Sequence, residues 1–203
     1  MGRAGAVPPQ PSNAKKKPRM KKRSRAVKIF IPLFFVLLVV GVYLGHWELT
    51  GKFAEVEKGQ FYRSAEMRID KLVSLCRKHG IRTVIDLRTD EEKARIERAS
   101  LKSVGLRYIH MPSAQIPSRR TVKIFLKIMD NLENRPVLIH CAHGIGRTGL
   151  FSAIYRIEYQ GWSNSRALLE AMLLAGFGSF LPNSKKAKFI SAYVPSREAV
   201  SAK

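Results

Sequence analysis

The feature that most constrains the fold of this chain is a short apolar run that ends at a cysteine and is followed by a glycine-rich turn. Residues 136–139 are apolar and predict a buried strand, which ends at His140 and Cys141. Two glycines and an arginine come next, and a helix-forming segment over 148–159 follows them. A strand, a glycine loop and a helix start in this order direct backbone N–H groups and the positive end of a helix dipole at one point.

The chemistry of this stretch centres on Cys141. N–H donors that hold an anion also favour a thiolate over a thiol, so the pKa of this cysteine is predicted to be low. Arg147, six positions later, is permanently charged, and its planar fork suits bidentate binding of a phosphate-like oxyanion. A nucleophile of low pKa beside a cradle for a tetrahedral anion indicates covalent phosphoryl transfer. The alternative interpretation is a buried structural cysteine next to a glycine turn.

The His-Cys-x5-Arg-Thr-Gly motif of residues 140–149 resembles the signature loop of the protein tyrosine phosphatase superfamily, in its compact dual-specificity branch. The resemblance extends over roughly residues 53–193. Its further motifs resemble bacterial atypical members, which are in turn similar to inositol-pyrophosphate phosphatases; these motifs are segments 61–65, 84–88, 108–112 and 155–172. The resemblance implies a cysteine-phosphatase fold.

The resemblance also implies a role for each residue of the motif. Cys141 is the expected nucleophile, which attacks phosphorus to give a phosphocysteine intermediate. Arg147 is expected to bind two phosphoryl oxygens together with the N–H groups of residues 142–147. Thr148 is expected to hydrogen-bond the thiolate and later to assist breakdown of the intermediate. The phosphate-binding loop is expected to consist of Ala142, His143, Gly144, Ile145 and Gly146.

Residues outside this loop are expected to support it. In the family, the histidine before the nucleophile orders the loop, and His140 holds that position. Asp86 and Arg88 resemble the family's Asp-Leu-Arg at a strand end, which favours a buried salt bridge beneath the loop over contact with substrate. Arg63 either orders the site or binds a distal phosphate. Cys76 lies on the apolar face of a predicted helix and is interpreted as a core residue in preference to a resolving partner for Cys141.

The general acid is the point at which this sequence departs from the family. Members usually place an aspartate on a loop upstream of the signature motif, but residues 112–117 contain no carboxylate, and Gly146 stands where related bacterial members often have an aspartate. The proton for the leaving group is therefore expected to come from His143, from a distant carboxylate such as Asp90 or Glu92, or from water. General acid catalysis contributes about 10²–10⁴-fold, so a slow enzyme or one that prefers good leaving groups is predicted.

Strand and helix patterns alternate along the catalytic segment. Two short strands joined by a turn at Lys58 and Gly59 come first. The later elements are predicted as helices over 67–79, 90–103 (capped by Thr89), 119–134 (capped by Ser118), 163–175 and 184–193, and strands over 81–87 and 106–111. This alternation predicts an α/β fold with a central, mostly parallel sheet flanked by helices. The signature loop then lies at the carboxyl end of a strand, where open α/β sheets bind ligands.

Charge is distributed unevenly along the chain, whose net charge is +22. Residues 1–28 contain ten Lys/Arg and no acid, and their low apolar content predicts a disordered tail. From residue 51 onward, 27 Lys/Arg against 14 Asp/Glu leave about +13. A basic domain favours anionic partners, here a phosphorylated protein or a small phosphate ester. The basic run is directly followed by an apolar segment, so it is not interpreted as a nucleic-acid patch.

That apolar segment, residues 29–47, has the length and composition of a transmembrane anchor. It carries no formal charge, about 20 such residues span a bilayer, and Trp47 lies at its far end, where interfacial aromatics collect. A cleaved signal peptide is the alternative, but the segment is long and no clear small-x-small site follows it. Charge asymmetry predicts a cytoplasmic N-terminus and an extracytoplasmic catalytic domain over 51–203, periplasmic in a bacterium. A reactive free cysteine in an oxidising compartment counts against this orientation.

The leading hypothesis from the sequence is a single-pass, membrane-anchored cysteine phosphatase that needs no metal or cofactor and acts on phosphotyrosine or phosphoserine/threonine proteins. An alternative with the same chemistry is a phosphatase of inositol polyphosphates or phospholipid headgroups. A non-catalytic phosphate-binding relative is a third hypothesis, and the intact Cys141, Arg147 and Thr148 argue against it. Arsenate reduction is a fourth, weakened by the expected burial of Cys76.

Overall fold

The computed structural model describes residues 1–2, 25–174 and 178–196. The chain divides into two units, Met1–Tyr43 and Leu44–Lys203, which are described separately. Most of the predicted basic tail, residues 1–28, lies outside the described residues. The second unit, Leu44–Lys203, contains the predicted catalytic segment and is called the catalytic unit. It contains a five-stranded sheet with helices on both faces, as the sequence predicts.

A helix, α1 (Arg25–Leu49), covers the segment predicted as an anchor. Every residue from Phe30 to Val42 is exposed. A search of the described residues finds no helix with the length and apolarity that crossing a membrane requires. The predicted helix is therefore confirmed, and its predicted role as a membrane span is not.

The sheet has the strand order β1-β2-β5-β3-β4. Its strands are β1 (Ala54–Glu57), β2 (Phe61–Ala65), β3 (Thr83–Asp86), β4 (Arg107–His110) and β5 (Val137–Cys141). Only the edge strand β1 runs antiparallel to its neighbour, and the other three pairings are parallel. All five residues of β5 are buried, which a central parallel strand requires because helices cover both faces of the sheet.

The helices of the catalytic unit are α2 (Ile69–His79), α3 (Glu91–Ser103), α4 (Arg119–Asp130), α5 (Gly146–Gln160), α6 (Asn164–Leu174) and α7 (Lys185–Ser191), with a short 3₁₀ turn over Leu132–Asn134. Three predicted boundaries need correction. The helix predicted to reach residue 134 ends at Asp130, before the 3₁₀ turn. The helix α5 begins at Gly146, two residues earlier than predicted. Asp90, not Thr89, caps α3, and its carboxylate accepts a hydrogen bond from the Lys93 N–H at 3.0 Å.

The register of the central strands shows which residues surround Cys141. In β5, Cys141 is opposite Ala65 of β2, and His140 is opposite Asp86 of β3. The carboxyl ends of three parallel strands therefore meet around the cysteine. On one side of β5 the chain continues from β2 into α2, and on the other side it continues from β3 into α3. This is the crevice in which open α/β sheets bind ligands.

Two apolar layers cover the sheet. One contains Cys141 and the aromatic rings of Phe61, Phe125, Phe151 and Tyr155, while the other contains Cys76 with Leu72, Val84 and Leu138. Cys76 is fully buried, and burial, together with the charge of Glu97, raises the pKa of its thiol to about 12. Its interpretation as a core residue is confirmed.

Candidate active site

Cys141 lies at the floor of a cradle formed by residues 142–148. Its side chain is 3% exposed, and burial by itself would raise the pKa of the thiol. Hydrogen bonds from the Thr148 hydroxyl and from the N–H groups of Thr148, Gly144 and His143 outweigh burial, so the pKa lies below its ordinary value. These are the donors that an anion in the cradle would also meet, and they favour the thiolate for the same reason.

The start of α5 adds to this positive environment. The loop that leaves β5 runs directly into a helix of 15 residues, with Ile145 at the N-cap position. Isoleucine has no side-chain oxygen, so it cannot cap the first N–H groups of the helix. Those groups and the positive end of the helix dipole remain available to an anion held above Cys141.

Gly144 gives the loop its shape. Its φ is +65°, and a methyl group added there would lie 2.5 Å from the Ala65 nitrogen, so both the conformation and the space require glycine. The Gly144 carbonyl accepts a 2.6 Å hydrogen bond from Arg63 Nη2, and Arg63 is almost fully buried. Burial lowers the pKa of Arg63 to about 10, which leaves the guanidinium charged at neutral pH. Of its two predicted roles, the structure shows that Arg63 orders the loop.

Arg147 is held from one side. Its Nη1 donates to the Leu87 carbonyl at 2.7 Å and lies 3.4 Å from the Ser113 carbonyl. Leu87 directly follows β3, and Ser113 belongs to the loop of residues 112–117. These contacts fix the plane of the guanidinium and leave its Nε and Nη2 side for a bidentate contact with an oxyanion.

The remaining residues of the loop differ in environment. Thr148 is fully buried, and among the described residues its hydroxyl has no partner within hydrogen-bond geometry. It lies close enough to Cys141 to help lower the pKa of that thiol. Ile145 packs against the cluster between α5, α6 and α7. Ala142 is half-buried, whereas His143 is exposed. An exposed ring at position 143 is compatible with both roles predicted for it, contact with substrate and a wall of the pocket.

Beneath the loop lies a buried ionic network. Arg88 Nη2 lies 2.7 Å from Asp86 Oδ2 and 2.6 Å from Glu97 Oε2. The other oxygen of Glu97 accepts a 2.8 Å hydrogen bond from His140 Nε2, and Asp86 also accepts one from the Tyr108 hydroxyl at 2.6 Å. Burial opposes ionisation of Asp86, but the Arg88 guanidinium and His140 hold the pKa of this carboxyl below its usual range. The salt bridge predicted between Asp86 and Arg88 is present.

The same network is the one place among the described residues where three metal-ligating side chains meet. Ligand atoms of Asp86, Glu97 and His140 lie within 4.8 Å of one another. The Arg88 guanidinium, however, already binds both carboxylates, and His140 already binds Glu97. A cation would have to displace an arginine that compensates the buried charge, so these residues do not fit a metal site.

The carboxylates considered as general acids are engaged elsewhere. Asp90 caps α3, and Glu92 forms an exposed ion pair with Arg95 at 2.7 Å. Neither contact involves the cradle. The loop of residues 112–117 contributes the Ser113 carbonyl to Arg147 and no carboxylate. Supply of the proton by His143, by one of these carboxylates or by water stays a prediction.

Sequence reasoning missed two residues of the site. Glu97, 4% exposed, joins Arg88 to His140. Glu66 connects the ionic network to β5: its carboxylate lies 2.9 Å from Arg88 Nη1, and its backbone N–H donates to the Cys141 carbonyl at 2.8 Å. A signal for Glu97 exists in the sequence, because it occupies the apolar face of α3 between the buried Ala94 and Leu101.

Comparison with known proteins identifies the family. Residues 48–186 match the family described as "DSP-PTPase phosphatase fused to NAD+ Kinase". The chain belongs to this phosphatase family. The resemblance that the signature motif indicated is therefore confirmed over most of the catalytic unit.

Two relatives stand out. The dual specificity protein phosphatase TpbA of Pseudomonas aeruginosa (strain UCBPP-PA14) is 33% identical over 117 residues, which are 58% of this chain and 51% of TpbA. This chain therefore spans about half the length of that relative. A crystal structure of P. aeruginosa TpbA has a TM-score of 0.52 at 30% identity, over 66% of this chain and 79% of that one. A cysteine-to-serine variant of TpbA in complex with pTyr has a TM-score of 0.51 at 27% identity, over 72% and 88%.

The second relative is Siw14. The core catalytic domain of the PP-IP phosphatase SIW14 from S. cerevisiae has a TM-score of 0.57 at 24% identity, over 70% of this chain and 85% of that one. This likeness shows the fold alone. Another structure of the Siw14 catalytic core has a TM-score of 0.57 at 26% identity, over 70% and 84%.

Alkylation by iodoacetamide tests the ionisation of Cys141. Because the cradle lowers the pKa of this thiol, we expect its alkylation rate to rise well below pH 8.5, the region of an ordinary cysteine, and vanadate to protect it. Cys76, whose pKa is raised to about 12, should stay unmodified, so Cys141→Ser provides the blank. Thr148→Ala should shift the profile to higher pH. A profile centred near 8.5 without vanadate protection would contradict the assignment.

The stability of the ionic network should depend on pH through Asp86. The folded pKa lies below the unfolded value of about 4, so the carboxylate's contribution is complete above that value and is lost as pH falls through the folded pKa. We expect Asp86→Asn to lower the free energy of unfolding by about 3–5 kcal/mol at pH 7, because it leaves Arg88 buried without this partner.

Urea denaturation across pH measures the effect. The difference between wild type and Asp86→Asn should narrow as the pH falls below about 4. Asp70→Asn is the matched control, because Asp70 pairs with Arg68 in an exposed position and its removal should leave the free energy of unfolding almost unchanged. A difference that is the same at pH 7 and at pH 3 would show that Asp86 acts by packing and not by charge.

Proposed function

We propose that the chain is a cysteine-dependent phosphatase that hydrolyses phosphate monoesters through a phosphocysteine intermediate. The observation that carries the proposal is the environment of the Cys141 sulfur: it is buried, yet the Thr148 hydroxyl and the N–H groups of Thr148, Gly144 and His143 hold the pKa of the thiol below its ordinary value. Such an arrangement stabilises a thiolate and a phosphoryl group in the same place. Membership of the phosphatase family supports the same activity.

We infer the reaction steps from the surroundings of Cys141 and Arg147. The Cys141 thiolate attacks phosphorus, the P–S bond forms and the bond to the leaving oxygen breaks, while Arg147 and the N–H groups of the loop hold the three equatorial oxygens. The leaving oxygen takes up a proton. Water then attacks phosphorus, the P–S bond breaks, and phosphate leaves. Thr148 donates to the sulfur as it becomes a thiolate again, which favours this second step.

Phosphoproteins, with phosphotyrosine or phosphoserine/threonine, are the proposed substrates. The supporting likeness is to TpbA, which is named a dual specificity protein phosphatase and has been solved with pTyr. Its similarity to this chain covers about half of TpbA's length. The basic character of the catalytic segment also suits a phosphorylated partner.

Inositol polyphosphates or phospholipid headgroups are the second candidate. The observation that favours them is the likeness to the Siw14 catalytic core, a PP-IP phosphatase. Both candidates require the same nucleophile and cradle. Hydrolysis of a phosphopeptide panel and an inositol phosphate panel by the full chain, with Cys141→Ser as the control, separates them.

The leaving group tests how the proton is supplied. No carboxylate lies in the loop of residues 112–117, so we expect p-nitrophenyl phosphate, whose leaving group needs no proton, to be hydrolysed about 10²-fold faster or more than an alkyl phosphate. Arg147→Lys should slow both substrates about equally, because a lysine cannot bind two oxygens in a fork. Equal rates for the two esters would mean that an efficient general acid is present.

We further propose that α1 attaches the protein to a membrane, with residues 1–28 on the cytoplasmic side and the catalytic unit on the other. The support is the uncharged, largely Ile, Leu, Val and Phe composition of residues 29–47, the exposure of the apolar side chains between Phe30 and Val42, and the ten Lys/Arg that precede them.

Vesicle flotation tests the attachment. The full chain should float with phosphatidylcholine vesicles and stay bound in 1 M salt, because apolar burial is not screened by ions. A chain that begins at residue 51 should remain in the aqueous fraction and keep its activity on p-nitrophenyl phosphate. Release of the full chain by salt would indicate that the basic residues alone bind the surface, and no flotation would exclude the attachment.

A further inference from the structure

A lysine from the last helix stands beside the phosphate-binding loop. A methyl group added at Gly146, the first residue of α5, would lie 3.0 Å from Lys186 Nζ and 3.1 Å from its Cε. The next atom it would meet is Gln115 Oε1, at 3.6 Å. An ammonium group and an amide, from two different segments, therefore flank the loop one residue before Arg147.

The backbone that carries Lys186 is fixed to the site. Ser184 caps α7 by accepting a 3.1 Å hydrogen bond from the Ala187 N–H. Ala187 and Ile190 are buried, and Ile190 packs with Leu150 and Ala153 of α5 in one apolar cluster. The helix that carries the lysine is thus packed on α5, the helix into which the phosphate-binding loop runs, so the fold fixes the backbone position of Lys186.

The charge of Lys186 is not consumed by the protein. Across the described part of the chain, its ammonium has no ion pair and no hydrogen bond, and its side chain is half-buried. The same helix also carries Lys185 and Lys188, so the charge along α7 is positive. A half-buried cation without a counterion, next to an oxyanion cradle, is an arrangement that an anion would stabilise.

The lysine lies outside the cradle itself. The N–H groups of His143, Gly144 and Thr148 act on Cys141, whereas Lys186 lies on the side of the loop where a side chain at Gly146 would project. Arg147 and the N–H groups are already sufficient for the phosphoryl group that is transferred. An anion at Lys186 is therefore a different group of the same substrate.

We propose that Lys186 binds a second phosphate group of the substrate, next to the one that is hydrolysed, and so selects for small molecules with neighbouring phosphates. Lysine binds phosphate as a compact point charge with three donors, and the side-chain amide of Gln115 lies on the same side of Gly146. The proposal rests on the proposed phosphatase function and specifies its substrate class.

The test compares two aryl esters with the full chain. Catechol bisphosphate carries two phosphates on adjacent ring carbons, and phenyl phosphate carries one. Lys186→Ala should lower kcat/KM for the bisphosphate about 10- to 100-fold, which corresponds to one lost charged hydrogen bond, and change that for phenyl phosphate less than two-fold. Lys185→Ala, an exposed lysine one position earlier on the same helix, is the matched control and should leave both unchanged.

Binding provides a readout that does not need turnover. In the Cys141→Ser background, titration calorimetry with catechol bisphosphate should show a dissociation constant that rises about 10-fold or more when Lys186 is also replaced by alanine. A phosphotyrosine peptide with aspartates beside the phosphotyrosine, compared with its alanine counterpart, tests an acidic peptide as the source of the second anion.

Each outcome decides the proposal. A loss confined to the bisphosphate in kinetics and in binding supports it. An equal loss on both esters would place Lys186 on the transferred phosphoryl group, and a loss confined to the acidic peptide would make the second anion a carboxylate. No loss would show that Lys186 does not contact the substrate. Each of these three results overturns the proposal. If wild type hydrolyses neither ester, the proposed function fails, and the binding comparison still decides the role of the lysine.

Discussion

Two opposing effects on the pKa of Cys141 govern the rest of this structure. Burial of the sulfur raises the pKa, and the hydrogen-bond donors around it lower the pKa. Burial alone would make the thiol a weaker acid, as it does for Cys76 on the other side of the sheet. The difference between the two cysteines is a set of donors: a threonine hydroxyl and backbone N–H groups. Those donors converge only if the chain turns sharply between β5 and α5. The reactivity of the Cys141 sulfur therefore depends on the path of the backbone over residues 142–148.

Three supports hold that path. The loop meets the end of β2 at Gly144, where no side chain fits, and Arg63 of the same strand holds the Gly144 carbonyl. From the other side, the carbonyl of Leu87 holds Arg147. Below, Arg88 gathers the charges of three carboxylates, one of which positions His140. Because β5 lies between β2 and β3 in the sheet, each neighbouring strand supports a different part of the site.

Much of this arrangement could be predicted from the sequence, since its determinants are local. The strand, the loop and α5 are contiguous, and Ser118 and Gly80 mark helix ends by their own chemistry. Other features could not be predicted, because they depend on how distant segments pack. Glu97 lies 43 residues from the histidine that it positions. In the sequence, nothing distinguishes Lys186 from the other lysines, because only the packing of α7 on α5 brings it beside the loop. Thr89 and Asp90 are adjacent and both residue types can cap a helix, so the sequence does not decide which of them caps α3.

The contact between Gly144 and the end of β2 also ties the site to the core of the sheet. The strands β1 and β2 form a hairpin, and β1 is an edge strand with a single neighbour. Edge elements open with lower free energies than central ones. The neighbouring strand β2, however, is buried along its whole length, pairs with β5, and contributes Phe61 to the same aromatic layer as Phe125. Opening of β1 alone therefore leaves the loop its steric wall and its Arg63 contact, and the cradle loses its shape only at the temperature at which the aromatic core itself comes apart.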